Sequence, residues 1–158
     1  METLTKYEVK EVTWPQTTFI SKRVNLALSE VPDFLSSAYQ TLYEESGRLG
    51  LQTVKPPCAI YYSMDMRNHQ TDMAAAIPIE GVVPDLNGFI KITLPQSKAL
   101  LVEYYGRYEY MSAAYAELEK WLSQNSLERE LIIEEYHTDP TRESDSSKWK
   151  TNIYYLIK

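Results

Sequence analysis

The chain alternates between helical and strand-like hydrophobic periods, and the order of those alternations repeats. Leu35, Ala38, Tyr39 and Leu42 fall at i, i+3, i+4 and i+7, one face of an amphipathic helix. Met111, Ala114, Tyr115 and Leu118 do the same at a constant offset of 76 positions, and Trp121 and Leu122 extend that stripe. Even the Ala-Tyr pair recurs. Ser29 is placed to N-cap the first helix with Pro32 in its first turn, and Gly47 or Gly50 to end it. Strands rich in β-branched and aromatic residues flank both helices in the same order. Thr17 to Leu26 and Lys98 to Tyr105 precede them. Cys58 to Met64 and Met73 to Ile79 follow the first helix; Leu131 to Tyr136 and Thr151 to Ile157 follow the second. Each half reads β-α-β-β, about 5–80 and about 88–158, within one α+β domain over 1–158. Val82 to Pro95 joins the halves and carries a further strand, Phe89 to Leu94; another, Tyr7 to Val12, is expected before Pro15. Two such units in tandem predict a curved antiparallel sheet with both helices on one face. A cleft is expected between the repeats, near the pseudo-twofold axis, where ligand pockets are favoured.

Composition narrows the functional classes. The net charge of −6 argues against direct nucleic-acid binding, which needs basic surface to neutralise phosphates. No stretch approaches the roughly 18 apolar residues of a membrane span, and Met1 to Lys6 lacks the apolar core of a signal peptide. A single cysteine, Cys58, excludes an internal disulfide and suits a reducing cytoplasm, the expected location. His69 and His137 show no metal-ligand spacing with Cys58, and neither a Gly-x-Ser-x-Gly elbow nor a Gly-rich phosphate loop is present. No metal or cofactor is expected. The chain carries 13 tyrosines against 3 phenylalanines, an imbalance that suits strands, interfaces and half-wet cavities.

The most informative stretch is the C-terminal one, where Ile132-Ile133-Glu134-Glu135-Tyr136-His137-Thr138-Asp139-Pro140 is followed by Trp149-Lys150-Thr151-Asn152-Ile153-Tyr154-Tyr155. Carboxylates inside an apolar strand are costly unless something pairs with them. Ile132, Glu134 and Tyr136 share one strand face, and Leu131, Ile133, Glu135 and His137 the other. One face packs on the helices and the other is expected to look into the cleft, so one of the two glutamates points there; periodicity does not choose between them. Such a carboxylate attracts a cationic ligand between aromatic rings, or serves as a general base when desolvation raises its pKa.

The run Glu134 to Pro140 followed by Trp149 to Tyr155 resembles the C-terminal signature of GyrI-like small-molecule-binding domains. Leu101-Val102-Glu103-Tyr104-Tyr105-Gly106-Arg107-Tyr108 resembles that family's strand and Gly-x-Tyr approach to its second helix, and Pro57 to Ser63 its first-half strand. Ile133 stands where the family often has Trp, and Arg107 where many relatives have Pro. The resemblance covers nearly the whole chain and implies an aromatic-lined pocket between the repeats, with the acid two positions before Tyr136 as its anchor. That acid is Glu134. Tyr61 and Met64 on the equivalent strand, Tyr104, Tyr108, Tyr154 and Trp149 are further lining candidates, with ordinary packing as the alternative for each; Tyr110 stands in the same position.

Family members recognise lipophilic, often cationic compounds as effector domains of transcription regulators, and occur alone as gyrase-inhibitor or resistance proteins. Some resemble hydrolases of cyclopropane-bearing alkylating agents. The chain starts at the domain's first strands and ends at its last, so a standalone domain is expected, monomeric or weakly dimeric. The leading expectation is capture of a hydrophobic, planar or cationic xenobiotic anchored by Glu134. A hydrolase is the alternative, with Glu134 activating water and Tyr108 or Tyr136 donating a proton. A protein partner, DNA gyrase or a regulator, is the third.

Overall fold

The structure, a computed structural model, describes residues 7–53, 55–83, 86 and 88–158. The expected start of the first repeat near residue 5 lies outside the described residues, as do Met1 to Lys6 and positions 84, 85 and 87 of the inter-repeat connection.

Among the described residues, eight strands form one antiparallel sheet: β1 (Lys10–Trp14), β2 (Thr17–Ala27), β3 (Cys58–Asp65), β4 (Gln70–Pro78), β5 (Ile90–Leu94), β6 (Ser97–Tyr105), β7 (Arg129–Tyr136) and β8 (Lys150–Ile157). Helix α1 (Val31–Arg48) follows β2, and α2 (Ser112–Gln124) follows β6. The strand order is β1-β6-β8-β7-β3-β4-β2-β5. Read outward from the central β3–β7 pair, each side runs through the corresponding strands of one β-α-β-β unit. Each unit's leading strand crosses to the other: β1 completes the edge beside β6, and β5 the edge beside β2.

That crossing bends the sheet. Only Pro15 and Gln16 separate β1 from β2, and only Pro95 and Gln96 separate β5 from β6, although each pair lies at opposite edges. Three Cα steps span at most about 11 Å, so the sheet curls until its edges approach. The curl encloses the face away from the helices. Phe19, Cys58, Ile60, Ala76 and Ile133 are fully buried there beside Trp14 and Leu156.

The helix stripes meet the other face through Ala38 and Leu42 of α1 and Ala114 and Leu118 of α2, all buried. Both helices end in the same left-handed cap at the 76-residue offset. Gly50 has φ +68°, with the Leu51 N–H donating to Ser46 O at 2.9 Å; Ser126 has φ +53°, with the Leu127 N–H donating to Leu122 O at 3.0 Å. The first helix starts differently from expectation. A 3-10 turn at Leu28–Glu30 leads into it, the Val31 N–H bonds to Leu28 O, and Glu30 rather than Ser29 takes the cap position without a side-chain bond. The N-terminal strand also lies later than Tyr7 to Val12, because its register is set by Trp14 pairing with Ser97.

Candidate functional site

Helix α1 packs over β2 and β4 and α2 over β6, so the central strands β3 and β7 remain uncovered between them. A cavity of about 950 Å³ fills that gap. It lies on the helix-bearing face, whereas a cleft on the opposite face was expected. The reason is the curl, which seals the opposite face against itself.

Glu134 sits at the floor. It pairs with Ala59 across the β3–β7 seam and is 8% exposed. Both carboxylate oxygens are engaged: the Tyr115 hydroxyl of α2 donates to Oε2, and the Tyr136 hydroxyl to Oε1 at 2.6 Å. Burial pushes the carboxyl above its usual range, with the two hydroxyl bonds opposing the shift. Burial first, and the Glu134 charge second, push both phenols well up, so they remain donors. Neutral hydroxyls solvate the carboxylate without cancelling its charge. Among the described residues, no Lys or Arg lines the cavity. The arrangement therefore offers an aromatic, apolar chamber with an uncompensated negative charge at its base, which favours a cation desolvated against rings.

Parity settles the choice that periodicity left open. Glu135 faces the curled interior, where His137 Nε2 contacts its carboxylate and Asn152 Nδ2 lies 3.4 Å away. Tyr61 shares the Glu134 face and lines the cavity. Met64 lines it too, which regular alternation from Tyr61 forbids. A β-bulge at Tyr62 inserts one extra residue between Tyr61 and Ser63 and returns Met64 to the cavity side. Tyr62 itself packs against the curled-face cluster, with the Arg23 guanidinium 3.7 Å from its ring centre.

The Tyr136 ring meets Tyr39 and Tyr108 edge-on, at centroid distances of 6.5 and 5.7 Å. Trp149 does not line the cavity. It stacks behind Tyr108 at 5.6 Å, fixed by its Nε1–H bond to Glu143 O at 2.8 Å, and so acts as a buttress. Tyr104 and Tyr154 are elsewhere. Tyr154 pairs with Ile133 on the curled face, edge-on to Trp14 at 5.0 Å. Tyr104 is buried in the core against Tyr7, beneath Gly106. Gly106 has φ +135°, and a Cβ there would lie 3.0 Å from the Tyr104 hydroxyl, so both backbone conformation and close approach demand glycine. Tyr110 is 66% exposed outside the cavity.

Sequence reasoning missed Tyr39 and Tyr115 as site residues. The signal is present in the repeated Ala-Tyr pairs, which the hydrophobic stripes place wholly in the helix cores. In the structure Ala38 and Ala114 face the sheet, while the following tyrosines turn one step around each helix toward the cavity. Tyr39 donates to Cys58 O at 2.7 Å, as Tyr115 donates to Glu134, tying each helix to a central strand. Among the described residues no helix is long and apolar enough to cross a membrane, and no group of three or more His, Cys, Asp or Glu is placed to hold a metal.

Residues 7–158 match the GyrI-like small molecule binding domain. No curated protein matches the chain by sequence at a significant level. Among solved structures, the EcmrR C-terminal domain superposes with a TM-score of 0.80 at 21% identity, covering 98% of this chain and 99% of that one. EcmrR in its DNA complex gives 0.83 at 18% identity over 96% of this chain, which spans only 57% of that longer protein. SAV2435 bound to tetraphenylphosphonium gives 0.61 at 16% identity, covering 98% and 94% of the two chains. A hydrolase encoded by lin2189 from Listeria innocua gives 0.68 at 14% identity, covering 96% and 92%. At these identities the likenesses establish the fold.

Proposed function

We propose that this chain, which belongs to the GyrI-like small-molecule-binding domain family, captures lipophilic organic cations in the cavity between α1 and α2. Glu134 is the electrostatic anchor, and Tyr39, Tyr61, Tyr108, Tyr115 and Tyr136 supply the aromatic surround. The observation that carries this reading is a buried carboxylate at the floor of an apolar chamber, hydrogen-bonded by two tyrosine hydroxyls. Tetraphenylphosphonium, the compound bound to SAV2435, is the natural first probe. Its titration into wild type and Glu134→Gln, followed by tryptophan fluorescence, tests the reading. Micromolar binding weakened roughly a hundredfold in the variant is expected, since a charge about 5–6 Å away at an effective dielectric near 20 contributes about 3 kcal/mol. Equal affinity of the two proteins removes the anchor.

The raised carboxyl pKa of Glu134 favours one second reading, a hydrolase in which that carboxylate deprotonates water. Tyr136, bonded to Glu134, is better placed than Tyr108 to move the accompanying proton. Mass spectrometry across a panel of electrophilic compounds decides it: recovery of unchanged compound alone leaves binding without turnover.

A further inference from the structure

The mouth of the cavity carries a second carboxylate that the anchor reading leaves unused. Asp139 stands in the turn beyond β7, five residues after Glu134, and lines the same cavity. Its Oδ1 accepts from the Thr141 backbone N–H at 2.9 Å and from the Thr141 hydroxyl at 2.6 Å, which fixes the group's orientation. Those bonds, and the Arg142 guanidinium 3.7 Å from Oδ2, hold its pKa below the usual range, so it is ionised at neutral pH. Arg142 is 88% exposed, and a solvated pair of this kind is worth little. Tyr43 and Tyr108, both on the cavity wall, are pushed up by burial and further by Asp139, and Tyr108 also by Glu134. The Tyr108 ring thus stands within the field of both carboxylates. His137 is also among the lining residues, but its ring nitrogen contacts Glu135 on the other face of the strand.

We infer that the cavity is built for elongated aromatic dications, with one positive end at Glu134 on the floor and the other at Asp139 at the mouth. The tyrosines between them stack along the ligand. This rests on Glu134 being a cation anchor, as proposed above. Five residues of chain place the two Cα atoms at most about 17 Å apart, which sets the scale of the separation between the two positive centres. A monocation seated on the floor leaves Asp139 to Arg142 alone.

Calorimetric titration at low ionic strength, with two probes and three proteins, tests the inference. The probes are tetraphenylphosphonium and a bis-quinolinium joined by a decamethylene chain; the proteins are wild type, Glu134→Gln and Asp139→Asn. Asp139→Asn is expected to weaken the dication about fivefold, the scale of an exposed ion pair, and to leave the monocation within about twofold. Glu134→Gln is expected to weaken both. The inference is overturned if Asp139→Asn affects neither probe, or both alike. Retained sensitivity to Glu134→Gln in that case preserves the anchor reading; insensitivity of both probes to Glu134→Gln removes both. Should Asp139→Asn fail to fold, Arg142→Ala leaves the Asp139–Thr141 turn intact and frees Oδ2. A rise in dication affinity alone supports the inference, and no rise overturns it.

Discussion

Glu134→Gln is expected to stabilise the unliganded protein at neutral pH and to have no such effect in acid. The wild-type carboxylate is 8% exposed and accepts two hydroxyl hydrogen bonds. Each is worth about 1.5–3 kcal/mol to a charged acceptor, against several kcal/mol for desolvating the ion. Burial prevails, because the carboxyl lies above its usual range despite both bonds. The folded state therefore holds this proton more tightly than the unfolded chain. Stability falls as pH rises from the unfolded carboxyl pKa, about 4.3, through the raised folded value, and the penalty is constant above it. Glutamine keeps the shape and an acceptor oxygen but carries no charge. A gain of about 1 kcal/mol is expected at pH ~7.5, or roughly 2–4 °C in Tm for a chain of this size, vanishing near pH ~4. Thermal unfolding of both proteins at the two pH values measures it. A variant less stable than wild type at neutral pH, or equally shifted at both, would show that the carboxylate is a structural keystone rather than a charge awaiting a partner.

Tetraphenylphosphonium affinity is expected to fall as pH drops through the raised folded pKa of Glu134, since protonation removes the anchor; a flat calorimetric profile between neutral and acid pH counts against it. Tyr115→Phe removes one of the two donors to the carboxylate. It should move the midpoint of that profile upward and destabilise the fold by about 1–2 kcal/mol by denaturant titration, whereas an unmoved midpoint denies Tyr115 its role. Trp149→Phe should abolish most of the ligand-induced fluorescence change with affinity kept within about threefold, because Trp149 stacks behind Tyr108, whereas Trp14 is buried on the opposite sheet face and Trp121 packs against the helix-side core without lining the cavity. Ser126→Gly relieves a left-handed residue at the end of α2 and should raise stability by about 0.5–1 kcal/mol in urea; a loss of stability contradicts the cap assignment.

Much of the fold was legible because the duplicated periodicities carry it. The stripes through Leu42 and Leu118 located both helices, and the aromatic and β-branched runs located the strands to within a few residues. The crossing of β1 and β5 to opposite edges was not legible, since pairing partners far apart in sequence leave no periodic trace. That crossing creates the curl, which in turn moves the cavity to the helix side. Glu134 could be singled out from its apolar strand context and from the family resemblance, but its face required the Ala59 register. Met64 reaches the cavity only through the bulge at Tyr62, a one-residue irregularity that alternation cannot foresee. The choice between lining and ordinary packing for Tyr104 and Tyr154 was not legible, because an aromatic in a strand looks the same whether it faces a cavity or a packed core. Tyr39 and Tyr115 were hidden for the converse reason, sitting beside small core residues on stripes that looked wholly internal.

A cation is expected to occupy the gap between α1 and α2 above Glu134. A crystal structure of the protein with tetraphenylphosphonium measures this most directly. The phosphorus is expected within roughly 6–7 Å of the Glu134 carboxylate, close enough for an attraction of a few kcal/mol in that setting, with phenyl rings against Tyr39, Tyr108 and Tyr136. A phosphonium seated outside the cavity, or inside it with Glu134 turned away, would contradict the claim.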